Sequence, residues 1–355
     1  MGKKLFKSTV MIKISLFIMA IISLFIMNNC QYFEQLSYKE WQKSSGANDG
    51  VDVYIGGNYN DGTYDHPCYW KNGEVVDFGS YSNSAVLSIS LDGDDIYCGG
   101  YYSSPYNACY WKNGAQVNVE LDYPAGNSQI ISIAVVNGVL FACGFEQISG
   151  NAEACYWING KKYPLNNPGT NGSYAQSIVV DKDTLDFYIA GYYKVSATIR
   201  YACYWKNGGE CVTLPIPTPT TTTYNANAIT VSNGRVYASG SYTDGDQIPC
   251  YWVDGKYIEL PHTAGTNATV LAISLYYGDV YCAGKYDTAS ALWKDNSIVW
   301  TDGTSVDANG VTVYDNDTYV AGCSTPYWWK NGSLSTLSHP GTSGVTTCIA
   351  VRAKR

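Results

Sequence analysis

The sequence predicts an all-β fold: a seven-bladed β-propeller whose blades each hold four antiparallel strands. Three observations predict it. The phrase Cys-Tyr-Trp-Lys-Asn-Gly recurs seven times, in stronger or weaker form. Each copy follows a β-rich run ending in Gly and pairs with an alternating apolar run. The chain also ends on a spare apolar run of the kind that the first module lacks, so its two ends complement each other.

The strong copies of the phrase begin at Cys68, Cys109, Cys155 and Cys203, and weaker ones at Cys250, Leu292 and Trp328. Their central tryptophans, Trp70, Trp111, Trp157, Trp205, Trp252, Trp293 and Trp329, recur every 36 to 48 residues. Asn-Gly gives positive φ at both centres of a two-residue hairpin, so each phrase reads as a strand, a tight turn and a second strand. The Gly anchors are Gly57, Gly100, Gly144, Gly191, Gly240, Gly284 and Gly322. The alternating runs cover 86–91, 131–136, 176–181, 228–232, 271–275, 311–314 and 346–351. Turns such as Asp92-Gly93-Asp94 link those runs to the Gly-terminated strands.

Each module therefore reads strand A, turn, strand B, variable loop, strand C, Asn-Gly, strand D. Four antiparallel strands repeated at this period are the signature of a propeller. The first module starts at strand B, near 51–57, and the spare strand A at 346–351 is expected to complete it. Closing the first blade with the C-terminal strand removes two edges that would template aggregation. This phasing selects seven blades over six or eight.

Composition agrees. With 33 Tyr, 10 Trp and 35 Gly and only 15% charged residues, the chain suits pleated strands and tight turns rather than helices or disorder. There are 22 Lys and Arg against 30 Asp and Glu. The first 29 residues hold four of the lysines and no acid, so the remainder carries −12. Such a chain, with no basic stripe, repels phosphate backbones, and nucleic acid is excluded as a main partner.

The first thirty residues read as an export signal. Met1 to Lys13 is basic, and Ile14 to Met27 is an apolar run interrupted only by Ser15 and Ser23. About 14 residues is short for a membrane span and suits a signal-peptide core. Cys30 follows directly, as in a bacterial lipoprotein signal, although Asn28 and Asn29 stand where that signal has small residues. The expected organisation is a signal over 1–29, lipidated Cys30 with a polar tether over 30–50, and a propeller over 51–355. The chain would then sit in the bacterial cell envelope, on the membrane through its lipid alone.

The phrase Ala108-Cys109-Tyr110-Trp111-Lys112-Asn113-Gly114, followed by a strand ending near Leu121, resembles the HAF family of extracellular repeats. That family has an Ala-aromatic-x-Trp-x-x-Gly core followed by a Leu; this chain has Cys where the family has Phe. The resemblance covers about residues 50 to 351. It implies an extracellular propeller without a general catalytic role. A kelch-like reading, from Gly56-Gly57 and Gly99-Gly100, is the runner-up. The Gly-His and Trp-Asp marks of WD40 blades are missing.

No catalytic motif stands out: there is no nucleophile elbow, phosphate loop or dinucleotide fingerprint. No cofactor is expected. Cys68, Cys109, Cys155, Cys203 and Cys250 share one slot and read as small buried packing residues. Export permits disulfides, and Cys98 with Cys109, or Cys203 with Cys211, are the candidate pairs across hairpins. His66 is assigned to a B–C loop, and His262 and His339 to D–A loops of the same face. Their spacing lacks a His-x-x-x-His, so no metal site is expected. The acidic pairs Asp92/Asp94, Asp181/Asp183 and Asp315/Asp317 read as turn chemistry, and Pro215 to Thr223 as a low-complexity spacer. Tyr59, Tyr102, Tyr193, Tyr242 and Tyr286 follow strand B at matching places and form the candidate ligand-binding ring. The expected role is non-catalytic binding or scaffolding, with an envelope protein or glycan as partner; the alternative is a glycan-active enzyme or lectin.

Overall fold

A computed structural model describes residues 50–217, 223–303, 307–322 and 325–354. Contacts divide the chain into Asp52–Arg352, which holds the propeller, and a second unit formed by 1–51 with 353–355. Cys30, the signal and most of the tether lie outside the described residues.

The propeller has seven sheets of four antiparallel strands each. Blade 1 takes its innermost strand A, Ser343–Ala353, from the C-terminus, beside Val51–Asn60, Asp65–Lys71 and Glu74–Asp77. The remaining blades run A to D in chain order, and their A strands are Ser84–Asp92, Ser128–Val136, Ser173–Val180, Tyr224–Ser232, Ala268–Tyr276 and Ala308–Tyr314. The A–B and C–D hairpins lie at one end of the blades. The B–C and D–A connections lie at the other, the loop face.

The Lys-Asn-Gly part of the repeat builds the hairpin end. Asn113 and Gly114 have φ of 50° and 84°, and the Asn-Gly or Asp-Gly pairs of blades 1, 3, 4, 5 and 7 are alike; in blade 6, Asp295 has φ of 51°. In each blade this Asn, or an Asp in its place, also ties C to B. The Asn113 side-chain oxygen accepts from Ile96 N at 2.9 Å, and Asn113 N donates to Ile96 O at 2.9 Å. Asn207 does the same to Phe187, and Asn331 to Thr318. The lysine before it meets the Asp that opens strand B: Lys112–Asp95 at 2.7 Å, Lys206–Asp186 at 2.6 Å, Lys294–Asp279 at 2.6 Å and Lys330–Asp317 at 2.7 Å.

The tryptophans join one blade to the next. All seven are at most 1% exposed. Five indole N–H groups donate to a carbonyl in the D–A connection of the preceding blade: Trp70 to Ser338, Trp157 to Glu120, Trp205 to Asn166, Trp252 to Pro215 and Trp293 to Pro261. Trp329 donates instead to Asp302 at 2.7 Å. Trp111 is the exception: its N–H is buried without a partner, and Phe78 stacks on the ring at 5.6 Å.

The repeated cysteines face the Gly anchors across the B–C ladder: Cys68 opposite Gly57, Cys109 opposite Gly100, Cys155 opposite Gly144, Cys203 opposite Gly191, Cys250 opposite Gly240. Ala291 fills the slot in blade 6, opposite Gly284. The thiols are free and buried, and burial pushes them well above the ordinary thiol range. Neither candidate disulfide is formed. Cys98 stands opposite Trp111, not Cys109, and Cys211 stands opposite Trp205, so both pairs are diagonal rather than face to face.

Candidate functional site

The anchors explain how the centre is made. A Cβ at Gly100 would lie 1.9 Å from the Ala85 carbonyl oxygen, and Gly57, Gly144, Gly191, Gly240 and Gly284 are the same to within 0.1 Å. Strands A and B approach so closely there that only glycine fits. Directly beside this contact each of the six in-order A strands carries a β-bulge, which extrudes Leu87, Ile131, Gln176, Asn227, Leu271 and Asn309. These six residues and Thr347 of blade 1 line a central channel of about 230 Å³.

Several channel residues join neighbouring blades. Ser88, Ser132 and Ser177 accept from Ile133, Ile178 and Ile229 N at 3.0, 3.1 and 3.2 Å. Asn227 donates to Val270 O at 2.8 Å, and Thr347 to Val86 O at 2.7 Å. The lining includes no acidic residue. Paired-carboxylate glycoside chemistry therefore has no residues to use inside the channel.

The expected tyrosine ring does not gather round one ligand position. Tyr59, Tyr193 and Tyr242 are buried, at 3%, 8% and 4% exposure. Tyr59 donates to Asp77 at 2.8 Å, Tyr193 bonds Thr213 at 3.0 Å, and Tyr242 lies against Tyr257; each partner is on that blade's outer strand D. Tyr286 reaches Thr263 at 2.6 Å, and Tyr102 packs edge-on against Tyr81 at 6.1 Å. Repetition here marks a brace that holds the outer strand and the adjoining D–A connection.

Of the histidines, His66 and His339 each stack with Tyr59, at 4.5 and 5.9 Å. His66 lies in strand C, not in a loop, because the B–C ladder of blade 1 extends to Asn60↔Asp65. Its ring nitrogens face Asp77 at 3.1 Å and Asp61 at 3.2 Å. His262 has separate partners, Leu260 and Glu259. Among the described residues no group of His, Cys, Asp and Glu has metal-binding geometry. A buried pair that sequence reasoning missed, Glu146 with Lys162, anchors the connection after blade 2: Glu146 also accepts from Tyr123 N and Asp122 N.

What remains is the loop-face end of the channel. Two residues before each bulge stand Ala85, Gln129, Tyr174, Asn225, Thr269, Asp307 and, in blade 1, Val345. Beside them stand the residues one past the Gly anchors of blades 1 to 6: Asn58, Tyr101, Phe145, Tyr192, Ser241 and Lys285. Blades 2 to 4 contribute an aromatic arc. Tyr101 contacts Tyr106 at 4.5 Å, Phe145 contacts Tyr174 at 4.9 Å, and Tyr174 stacks on Tyr192 at 5.1 Å. Blades 5 to 7 contribute a polar arc. Thr269 donates to Ser241 at 3.0 Å, Lys285 faces Asp307 at 3.7 Å, and the Asn225 side-chain oxygen is buried without a partner. Burial pushes the Tyr101 and Tyr192 hydroxyls up from the ordinary phenol range, while Arg200 opposes the shift at Tyr192. The signal for this arc was in the sequence, one residue before the position that repeats.

Solved structures resemble this fold. A protein of Lactobacillus plantarum matches over 85% of this chain and 100% of its own, at 12% identity and a TM-score of 0.52. Kuenenia stuttgartiensis hydrazine synthase matches over 78% of this chain and 94% of its own, at 9% identity and 0.50. TolB from Acinetobacter baumannii matches over 76% of this chain and 66% of its own, at 12% identity and 0.45. At such identities the likeness is one of fold. No family model matches the chain, so the HAF resemblance rests on its repeat motif alone, and no curated protein matches either.

Proposed function

We propose that this chain is a binding module of the bacterial cell envelope, exported and held to a membrane by a lipid on Cys30, that takes its ligand at the loop-face end of the channel. One observation carries the binding reading. Where the repeat is uniform, its residues are spent on the frame; where the blades differ, at the position after the Gly anchor, an aromatic arc faces a polar one. Aromatic rings beside hydrogen-bonding groups suit a ligand with both apolar faces and polar edges, and a glycan has both. The export reading rests on the basic flank, the apolar run 14–27 and the cysteine after it.

The binding test is a titration of the full chain, in detergent, with glycans released from envelope fractions. Saturable binding that Tyr174→Ala removes supports the site; binding indifferent to Tyr174→Ala places it elsewhere. For the anchor, radiolabelled palmitate should enter the wild type and not Cys30→Ala. Equal labelling of both would end the lipoprotein reading.

A further inference from the structure

We propose that blade 4 carries an anion-binding subsite, formed by Lys194 and Arg200, that takes the carboxylate of an acidic saccharide. The saccharide part of this proposal rests on the binding site argued above. The anion site itself stands on four observations.

First, Lys194 and Arg200 are direct partners across the B–C ladder of blade 4. Opposed side chains of like charge destabilise a sheet. Other blades avoid this at the same place: Asn60 bonds Asp65 at 2.8 Å in blade 1, Gln147 faces Ala152 in blade 3, and Thr243 faces Gln247 in blade 5. Second, neither residue has an acidic partner among the described residues, in a chain of net charge −8 whose repeat lysines are paired. Third, the Arg200 Nε is buried without a hydrogen-bond partner. A buried donor left without a partner is unfavourable, and a bound acceptor would relieve it. Fourth, both residues line a concavity of about 230 Å³, with Ala197, Thr198, Ile199 and Thr223 as its other walls.

The rings of the aromatic arc hold these cations in place. Lys194 Nζ lies 5.0 Å from the Tyr174 ring centre, and the Arg200 guanidinium 5.1 Å from that of Tyr192. Cation–π attraction offsets part of the repulsion between them. A carboxylate between the two would satisfy the rest: the guanidinium matches its geometry and the ammonium adds a point charge. A saccharide so held would have Phe145 and Tyr174 next to its ring.

The test is calorimetric titration of the full chain, in detergent, with trigalacturonate and with its methyl ester. The expected result is saturable trigalacturonate binding, at least about tenfold weaker for the ester and weaker in higher salt. Lys194→Gln and Arg200→Gln should each lose about tenfold, and Lys256→Gln, on the outer strand of blade 5, nothing. Trigalacturonate should also raise the melting temperature of the wild type more than that of either variant, which guards against misfolding as the cause. Ester and acid binding alike, with Tyr174→Ala abolishing both, would overturn the anion subsite and leave the channel site standing. Acid binding lost in Arg200→Gln but untouched by Tyr174→Ala would leave the anion site and overturn the channel site. No binding of either compound would overturn the acidic-saccharide proposal.

Discussion

Tyr192 and Tyr193 are neighbours in one strand, equally buried at 8% exposure, and do different work. Tyr193 turns toward the outer strand, bonds Thr213 at 3.0 Å and packs edge-on to Tyr201. Tyr192 turns the other way, stacks on Tyr174 of the innermost strand and lies under Arg200. Successive residues of a strand face opposite sides, so a shift of one position separates frame from site. Tyrosine at the Tyr193 position recurs in blades 1, 2, 4, 5 and 6, whereas the Tyr192 position holds Asn58, Tyr101, Phe145, Ser241, Lys285 or Cys323 elsewhere. Within one chain, then, repetition marks what the fold needs and variation marks what it can spend on a ligand.

The largest effect that bears on this contrast comes from the frame. Deleting residues 343–355 removes strand A of blade 1 and exposes the edge of Val51–Asn60. The truncated chain should lose its cooperative melt and aggregate. A sharp transition near the wild-type temperature would show that blade 1 does not need the C-terminal strand. Next in size, Trp205→Ala empties a fully buried site and breaks the bond to Asn166, at a cost of about 3–5 kcal/mol in chemical denaturation.

Smaller, and sharper as a comparison, Tyr193→Phe removes one hydrogen bond and should cost about 0.5–1.5 kcal/mol with no change in ligand affinity. A loss of affinity there would put the binding site back on the repeated tyrosines. The smallest effect concerns acid. Hydrogen bonds from Lys112, Lys206 and Lys330 hold Asp95, Asp186 and Asp317 below the usual carboxylate range. Groups so depressed contribute stability above the unfolded carboxylate value of about 3.9, and it is lost as pH falls through their folded values. Melting temperature should therefore be flat from neutral pH down to about 5 and fall below about 4, and Asp95→Asn should shrink that fall. An unchanged fall in the variant would remove this ion pair from the account.

The frame was legible in the sequence because each of its parts repeats. Asn113-Gly114 predicted a hairpin and is one, and the missing first strand A predicted closure by the C-terminus. The site was less legible. Nothing in a one-dimensional phrase shows that Gly100 is a glycine because the Ala85 carbonyl touches it, or that a bulge there pushes Leu87 into a channel. Facing of side chains depends on register, and register misled twice. It placed Cys98 opposite Trp111 rather than Cys109, and it turned Tyr59 and its counterparts away from the channel. Lys194 and Arg200 lie in a loop-end pair whose opposition appears only once the two strands are aligned.

The most direct test compares the two faces of the blades in one experiment. Affinity for envelope glycans and melting temperature would be measured for Phe145→Ser and Tyr174→Ser on one face, and for Tyr193→Phe and Tyr242→Phe on the other. The account predicts that the first pair loses binding by tenfold or more while the second pair binds as wild type and melts lower. Binding that survives in the first pair and fails in the second would contradict it.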